Sequence, residues 1–310
     1  MRIARPLSNR GGMALILTIT VVALLTIAIF DMFNKAWIQS ALAAGFRDDT
    51  RALYAARSGQ AAAKLILMED AKKGLPRDAL TDEWAQSSIP IPLDDEYAFV
   101  SIRDESGKLD LNRLTSDRGY PEDRWIPVFQ RLLKILELDE GLADSLVDWM
   151  DSNPEPRSNG AEDGYYLSLK KPYKAKNARL DSVDELALVK GFAPETIRKL
   201  RPYVTVWSEG AVNANTAEEK VLMALDEDIS DDVAKGIIRE RTASPFTVKE
   251  DIKRVPGVSD LYPKISLLIG VKSDYYSAES AATFGETSRM IRAVYRRSSS
   301  SVDVLYYKVF

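Results

Sequence analysis

The feature that most limits how this chain can fold is an uncharged run near its start. From Met13 to Phe30 the sequence reads MALILTITVVALLTIAIF, 18 residues without a charge. At ~1.5 Å per residue such a helix covers about 27 Å, close to the hydrocarbon thickness of a bilayer. Thr18, Thr20 and Thr26 do not prevent this, because their hydroxyls can bond back to helix carbonyls. Arg2, Arg5 and Arg10 precede the run and Asp31 follows it, which predicts a cytoplasmic N-terminus with the bulk of the chain across the membrane. A cleaved secretory signal should end on a small-x-small site. Here the apolar run continues through Phe30-Asp31-Met32-Phe33 to Trp37, and Ala41-Leu42-Ala43 comes too late.

Composition narrows the chemistry. The 310 residues include no cysteine and no histidine. Disulfides, thiolate zinc sites, iron–sulfur clusters, cysteine nucleophiles and imidazole bases are all excluded. Any metal site must use oxygen ligands, which favours calcium or magnesium. No catalytic residues stand out: a nucleophile with its base and a Gly-rich phosphate loop are both missing from the sequence pattern.

In front of the apolar run stands Arg10-Gly11-Gly12-Met13-Ala14-Leu15. A short basic leader ending in Gly before an uninterrupted hydrophobic helix resembles the type IV prepilin signal. The resemblance implies cleavage by a prepilin peptidase between Gly12 and Met13, on the cytoplasmic side. Loss of the leader would take the side-chain net charge from −4 to −7. The residues alone leave a simple signal anchor as the other reading. The fifth mature position, Leu17, departs from the Glu found in most pilins; within that superfamily its absence marks the tip subunit.

Residues 34–73 hold no proline and place Phe46, Leu53, Ala56, Ala63 and Leu67 at helical spacing, so the first helix is expected to run to about Lys73, ending at Gly74-Leu75-Pro76. Residues 96–103 alternate as a strand, and Lys108–Leu111 is expected to return beside it after an Asp104–Gly107 turn. Further strands are expected at 273–282, 288–297 and 302–310. The economical architecture is α+β, the long helix packing on a small antiparallel sheet made from both ends of the chain; the prepilin resemblance implies that this is a type IV pilin-like fold. The predicted divisions are a leader at 1–12, a transmembrane part at 13–33, helix continuation and first strands at 34–111, an inserted α-helical domain at 112–270 and C-terminal strands at 271–310. The insertion is expected to form two subdomains, 112–205 and 211–270, with helices near 124–137, 142–151, 182–201, 216–225 and 230–241.

Two chemical features lie in the insertion. Between Glu137 and Asp163 there are nine carboxylates and one base, Arg157. Asp148 and Asp151 share a helix face; Asp151, Asn153 and Glu155 alternate along a Pro-restricted loop; Glu162 and Asp163 return after Gly160. A hard cation wants six to eight oxygens, partly from flexible loops. On spacing alone this is either such a site or a solvated acidic helix end. The second feature is a pair of helix-hairpin-helix-like turns, Leu186–Phe192 and Ile252–Val258. Hairpins of this type can present N–H groups to DNA phosphates. Residues 112–270, however, carry 23 bases and 28 acids, which forfeits the counterion-release term. Both are therefore read as structural hairpins in SAM-like subdomains, with no nucleic acid partner.

Taken together these residues resemble the minor pseudopilin K family of type II secretion systems. The resemblance rests on RGG|MALIL without an acid at Leu17, ESGKLDLNRL, DWMDSNPEP…GAEDGYYLSLKKPYKAKN, DSVDELALVKGF, and VNANTA followed by PF…D…PGV. It implies a non-enzymatic subunit at the tip of a periplasmic pseudopilus, anchored in the inner membrane before assembly, with a methylated new N-terminus. Its implied partners are the minor pseudopilins I and J, and H, together with the prepilin peptidase. It also implies bound calcium, for which the ligands carried over are Asp148, Asp151, Asn153, Glu155, Glu162 and Asp163. The rival reading is a membrane-anchored DNA-binding protein of a competence system.

Overall fold

A computed structural model describes residues 10–86, 88–93 and 96–310. The leader arginines Arg2 and Arg5 lie outside the described residues. Helix α1 (Arg10–Lys72) is continuous over 63 residues, ~95 Å at 1.5 Å per residue. Its threonines behave as their chemistry requires: Thr18, Thr20 and Thr26 donate to the carbonyls of Leu15, Ile16 and Val22, each at 2.8 Å. The apolar window within it is wholly uncovered by protein. Beyond Arg51 the helix meets a sheet, burying Ala52, Ala56, Ala63 and Leu67. Small residues allow the close approach. A Cβ on Gly59 would collide with Ser280, and Gln60 Nε2 donates to the Ala278 and Ile291 carbonyls at 3.1 and 2.8 Å.

The strands are β1 (Ile89–Leu93), β2 (Glu96–Asp104), β3 (Leu109–Asp110), β4 (Val204–Thr205), β5 (Val212–Asn213), β6 (Ile269–Gly270), β7 (Tyr275–Phe284), β8 (Thr287–Arg297) and β9 (Val302–Val309). Five form one antiparallel sheet in the order β1-β2-β7-β8-β9, so strands from both ends of the chain interleave. The remaining helices are α2 (Ile126–Ile135), α3 (Leu142–Met150), α4 (Asp163–Leu167), α5 (Pro194–Leu200), α6 (Glu219–Leu225), α7 (Asp231–Ala243) and α8 (Tyr262–Ile265).

Three local expectations are corrected. Residues Lys108–Leu111 do not return along β2. Leu109-Asp110 pairs in parallel with Val204-Thr205 instead, because after Asp104 the chain leaves the sheet and enters the helical region. β2 lies between β7 and β1, and the two prolines of β1, Pro90 and Pro92, mask a strand that only an edge position allows. The segment 182–201 is not one helix: a 3₁₀ turn, Val183–Leu188, gives way at Gly191, with φ +84°, before α5.

The helical region consists of two copies of one unit. Each is closed by a two-residue parallel bridge, β3 with β4 and β5 with β6. Each is clasped by an asparagine just past its first strand. Asn112 Nδ2 donates to the Leu180 carbonyl at 3.0 Å while Leu180 N donates to Oδ1 at 2.7 Å. Asn215 makes the same pair of bonds with Phe246, both at 2.8 Å. The hairpin glycines match as well, Gly257 having φ +83°. α2 of one copy packs on α6 of the other, so a single apolar core spans both.

Two buried acids fasten this region to the sheet. Asp104 accepts from Ser273 Oγ (2.6 Å) on the sheet side and from Thr216 and Asn213 in the second copy. Glu105 accepts from Ser277 Oγ (2.7 Å) on β7 and from Thr205 Oγ1 (2.6 Å) in the first copy. Burial pushes the Asp104 carboxyl up to about 6.

Candidate metal centre

α3 carries Asp144 and Asp148 on one face, with Asp151 at its C-cap. The opposite face, Leu146, Val147 and Met150, is fully buried and holds the helix in the core. The acidic face looks onto the loop that follows, and the loop wraps back over it. Asp144 anchors that wrap: Arg157 Nε donates to Oδ1 at 2.9 Å, and Asn159 N and Nδ2 donate to Oδ2 at 3.2 and 3.1 Å. Although burial works against ionisation, these donors hold the Asp144 carboxyl below its usual value.

Asp148 is 0% exposed, and its Oδ2 accepts from Arg157 N at 3.0 Å. A Cβ at Gly160 would occupy the space of that carboxylate, so the Gly160 turn is a fitted cradle. The other oxygen, Oδ1, has no partner. Asp151, also 0% exposed, accepts from Asn153 N at 3.1 Å through Oδ1 and leaves Oδ2 unpartnered. Glu162, 8% exposed, leaves Oε1 unpartnered. Three buried carboxylates, each with an unused oxygen, thus lie on the end of α3 and on the loop that wraps back over it. An unpaired buried polar group is destabilising by ~1–3 kcal/mol, more when charged.

The electrostatics agree. Burial pushes Asp148 up to about 6, and the neighbouring Asp151 charge adds to it. Burial also pushes Glu162 up to about 7, reinforced by Asp148, Asp151 and Asp163. Asp151 is raised as well, chiefly by burial. Repulsion of this kind accompanies like charges gathered without a counterion. These residues fit a hard, oxygen-liganded cation by donor type and by their unused oxygens.

The other sequence-derived candidates are placed differently. Asn153 Oδ1 accepts from Glu155 N at 3.0 Å, and the Glu155 side chain is exposed. Asp163 Oδ1 accepts from Ala175 N at 2.9 Å, with Lys174 Nζ 3.6 Å from Oδ2. As placed, no group of three or more acidic side chains among the described residues stands close enough together to hold a metal ion. Gly12 and Met13 lie in the first turn of α1, and Leu17 is exposed on it.

Sequence reasoning overlooked what holds the loop down. Lys190 Nζ donates to the Asn159 and Gly160 carbonyls at 3.2 and 2.8 Å. The Trp149 ring meets Tyr166 and Tyr173 edge-on behind it, at 5.0 and 6.1 Å between centroids, and those two tyrosines lie tilted against each other. The signal lay in the paired tyrosines and in the lysine of the hairpin turn. In the second copy α7 ends at Ala243 and the clasp follows at Phe246. In the first copy residues 151–179 are inserted at the same place, and the acidic loop is that insertion.

Family models described as type II secretion system protein K match residues 107–209 and 212–272. The type II secretion system protein K of Pseudomonas aeruginosa is 31% identical over 302 residues, covering 93% of this chain and 89% of that protein. Its counterpart in Aeromonas hydrophila is 27% identical, covering 96% of each. A chain in the crystal structure of the GspK-GspI-GspJ complex from enterotoxigenic Escherichia coli superposes with a TM-score of 0.75 over 86% of this chain and 98% of that one. At 21% identity that last likeness shows the fold. By the identity and coverage of these relatives, the chain belongs to the type II secretion system protein K family.

Proposed function

We propose that this chain is the minor pseudopilin that caps the tip of a type II secretion pseudopilus and helps start its assembly. The observation that carries this reading is the clamp at Asp104 and Glu105, which fixes a two-copy helical mass to the pilin-like sheet. A mass so fastened cannot swing aside, so no further subunit can stack above it. The uncovered part of α1 serves as the inner-membrane anchor before assembly and as the packing surface for partner helices afterwards. Leu17 in place of an acid fits a subunit with no neighbour above to pair with. In this reading the prepilin peptidase cuts between Gly12 and Met13, the head lies in the periplasm, and the partners are pseudopilins I and J, joined by H.

Calcium belongs to the same proposal. Asp148, Asp151 and Glu162 would hold it through their unused oxygens, with Asn153, Glu155 and Asp163 on the same loop as further candidates. A bound divalent ion would supply the positive charge that these carboxylates lack. The chain's own part is to fix the loop against α3 through Arg157, Asn159 and Lys190.

The full-length chain, co-expressed with its own I, J and H subunits and purified in detergent, is expected to elute with I and J in equal amounts and to retain calcium. Recovery of this chain alone, free of both partners, would overturn the reading.

A further inference from the structure

We propose that the outer edge of β9 is a docking site for an extended strand from a second, co-anchored pilin-like subunit. The inference rests on the function proposed above and names a surface for it. The two edges of the sheet differ. β1 carries Pro90 and Pro92, which remove donors and blunt that edge. β9 has no proline over its eight residues and, among the described residues, pairs only with β8, so its other side leaves backbone donors and acceptors open.

The side chains select what can pair there. Opposite Tyr295, Ala293 and Ile291, which face α1, stand Val304, Tyr307 and Val309. α1 lies mainly over β2, β7 and β8, leaving Val304 50% and Tyr307 45% exposed. On the other face Lys308 has no carboxylate partner among the described residues and rests 5.0 Å from the Phe310 ring. The strand that fits is apolar toward α1 and carries on its opposite face an acid level with Lys308, with a base or neutral residue level with Asp303.

A second copy of this chain does not fit. Contacts from Asp49 to Arg289, Gln60 to Tyr295 and Asp70 to Arg297 show that α1 runs parallel to β8. Antiparallel pairing of β9 with itself would reverse one α1 end for end, and both anchors could not enter one membrane in the same direction. Parallel self-pairing would turn one sheet over and set the Val304 and Tyr307 row against the face bearing Lys308.

The test compares the full-length chain with the Val304→Lys, Tyr307→Lys variant, each co-purified with I and J in detergent. The variant alone should melt within about 2 °C of the unaltered chain, since both sites are half exposed. It should recover partners about tenfold less well. Backbone amide exchange in 302–309 of the unaltered chain should slow by about tenfold or more on complex formation. Equal recovery by the variant, with β9 exchange unchanged in the complex, overturns the docking site and leaves the tip function standing. Failure of the unaltered chain to recover I or J overturns both. Slowed β9 exchange in the chain by itself at high concentration, without partner, would assign the edge to a second copy and overturn this occupant.

Discussion

Excess chelator is expected to lower the melting temperature of the full-length chain in detergent by ~5–10 °C. The expectation follows from mass action: a ligand present at 100 times its dissociation constant stabilises the folded state by ~2.7 kcal/mol. For a unit of this size each kcal/mol moves the midpoint by ~2–4 °C. The stabilised element is the 151–179 insertion against α3: Asp151 and Glu162 of the insertion and Asp148 of α3 are buried, repel one another and keep unused oxygens. Asp151→Asn should abolish most of the calcium response while leaving the Asn153 turn in place, because Oδ1 still accepts from Asn153 N. A chelator-insensitive melting curve, measured by scanning fluorimetry, would remove calcium from the account.

Arg297→Met is expected to destabilise the head still more. Arg297 reaches both Asp70 and Asp78 from the end of β8, and all three side chains are at most 7% exposed. It also donates to the Ser273 carbonyl at 2.8 Å and lies over the Tyr276 ring. Breaking a buried pair from one side costs ~3–5 kcal/mol, because the remaining charges are stranded. A drop of ~10 °C or more is the corresponding shift. The deficit should depend on pH. Burial, opposed by Arg297, already holds the Asp70 carboxyl above its ordinary value. A raised carboxylate favours the folded state when protonated, so that contribution is present near pH 4 and lost as pH rises. Without Arg297 the loss deepens, and the variant should be closest to the unaltered chain at low pH. Adding Asp70→Asn should recover part of the stability. An unchanged midpoint at pH 7.5 would mean that water reaches this cluster.

Much of the architecture was legible because local pattern and tertiary role agree. Residues 13–73 lack proline, and the strands near 275–309 alternate cleanly, so their period could be counted. Ile89–Leu93 was illegible because Pro90 and Pro92 argue against a strand anywhere but an edge, and edges are decided by topology. Asp104 and Glu105 read as turn residues, and neither Asn112 nor Asn215 stands out as a clasp in the sequence. Their buried bonds join segments about 70 to 170 positions apart, or 31 in the case of Asn215, and nothing local announces such partners. The acidic site was half legible. Spacing picked out Asp148, Asp151 and Glu162, yet gave Glu155 and Asp163 the same weight. Only the fold shows that one faces solvent and the other bonds Ala175.

The central claim is position: this chain sits at the end of a filament and nowhere along it. A gold-binding tag placed in the exposed Lys170–Lys171 bend after α4, or an antibody to the helical region, can be imaged on pseudopili by electron microscopy. The account predicts label at one end only, a single subunit per filament. Label repeated along the shaft would contradict it.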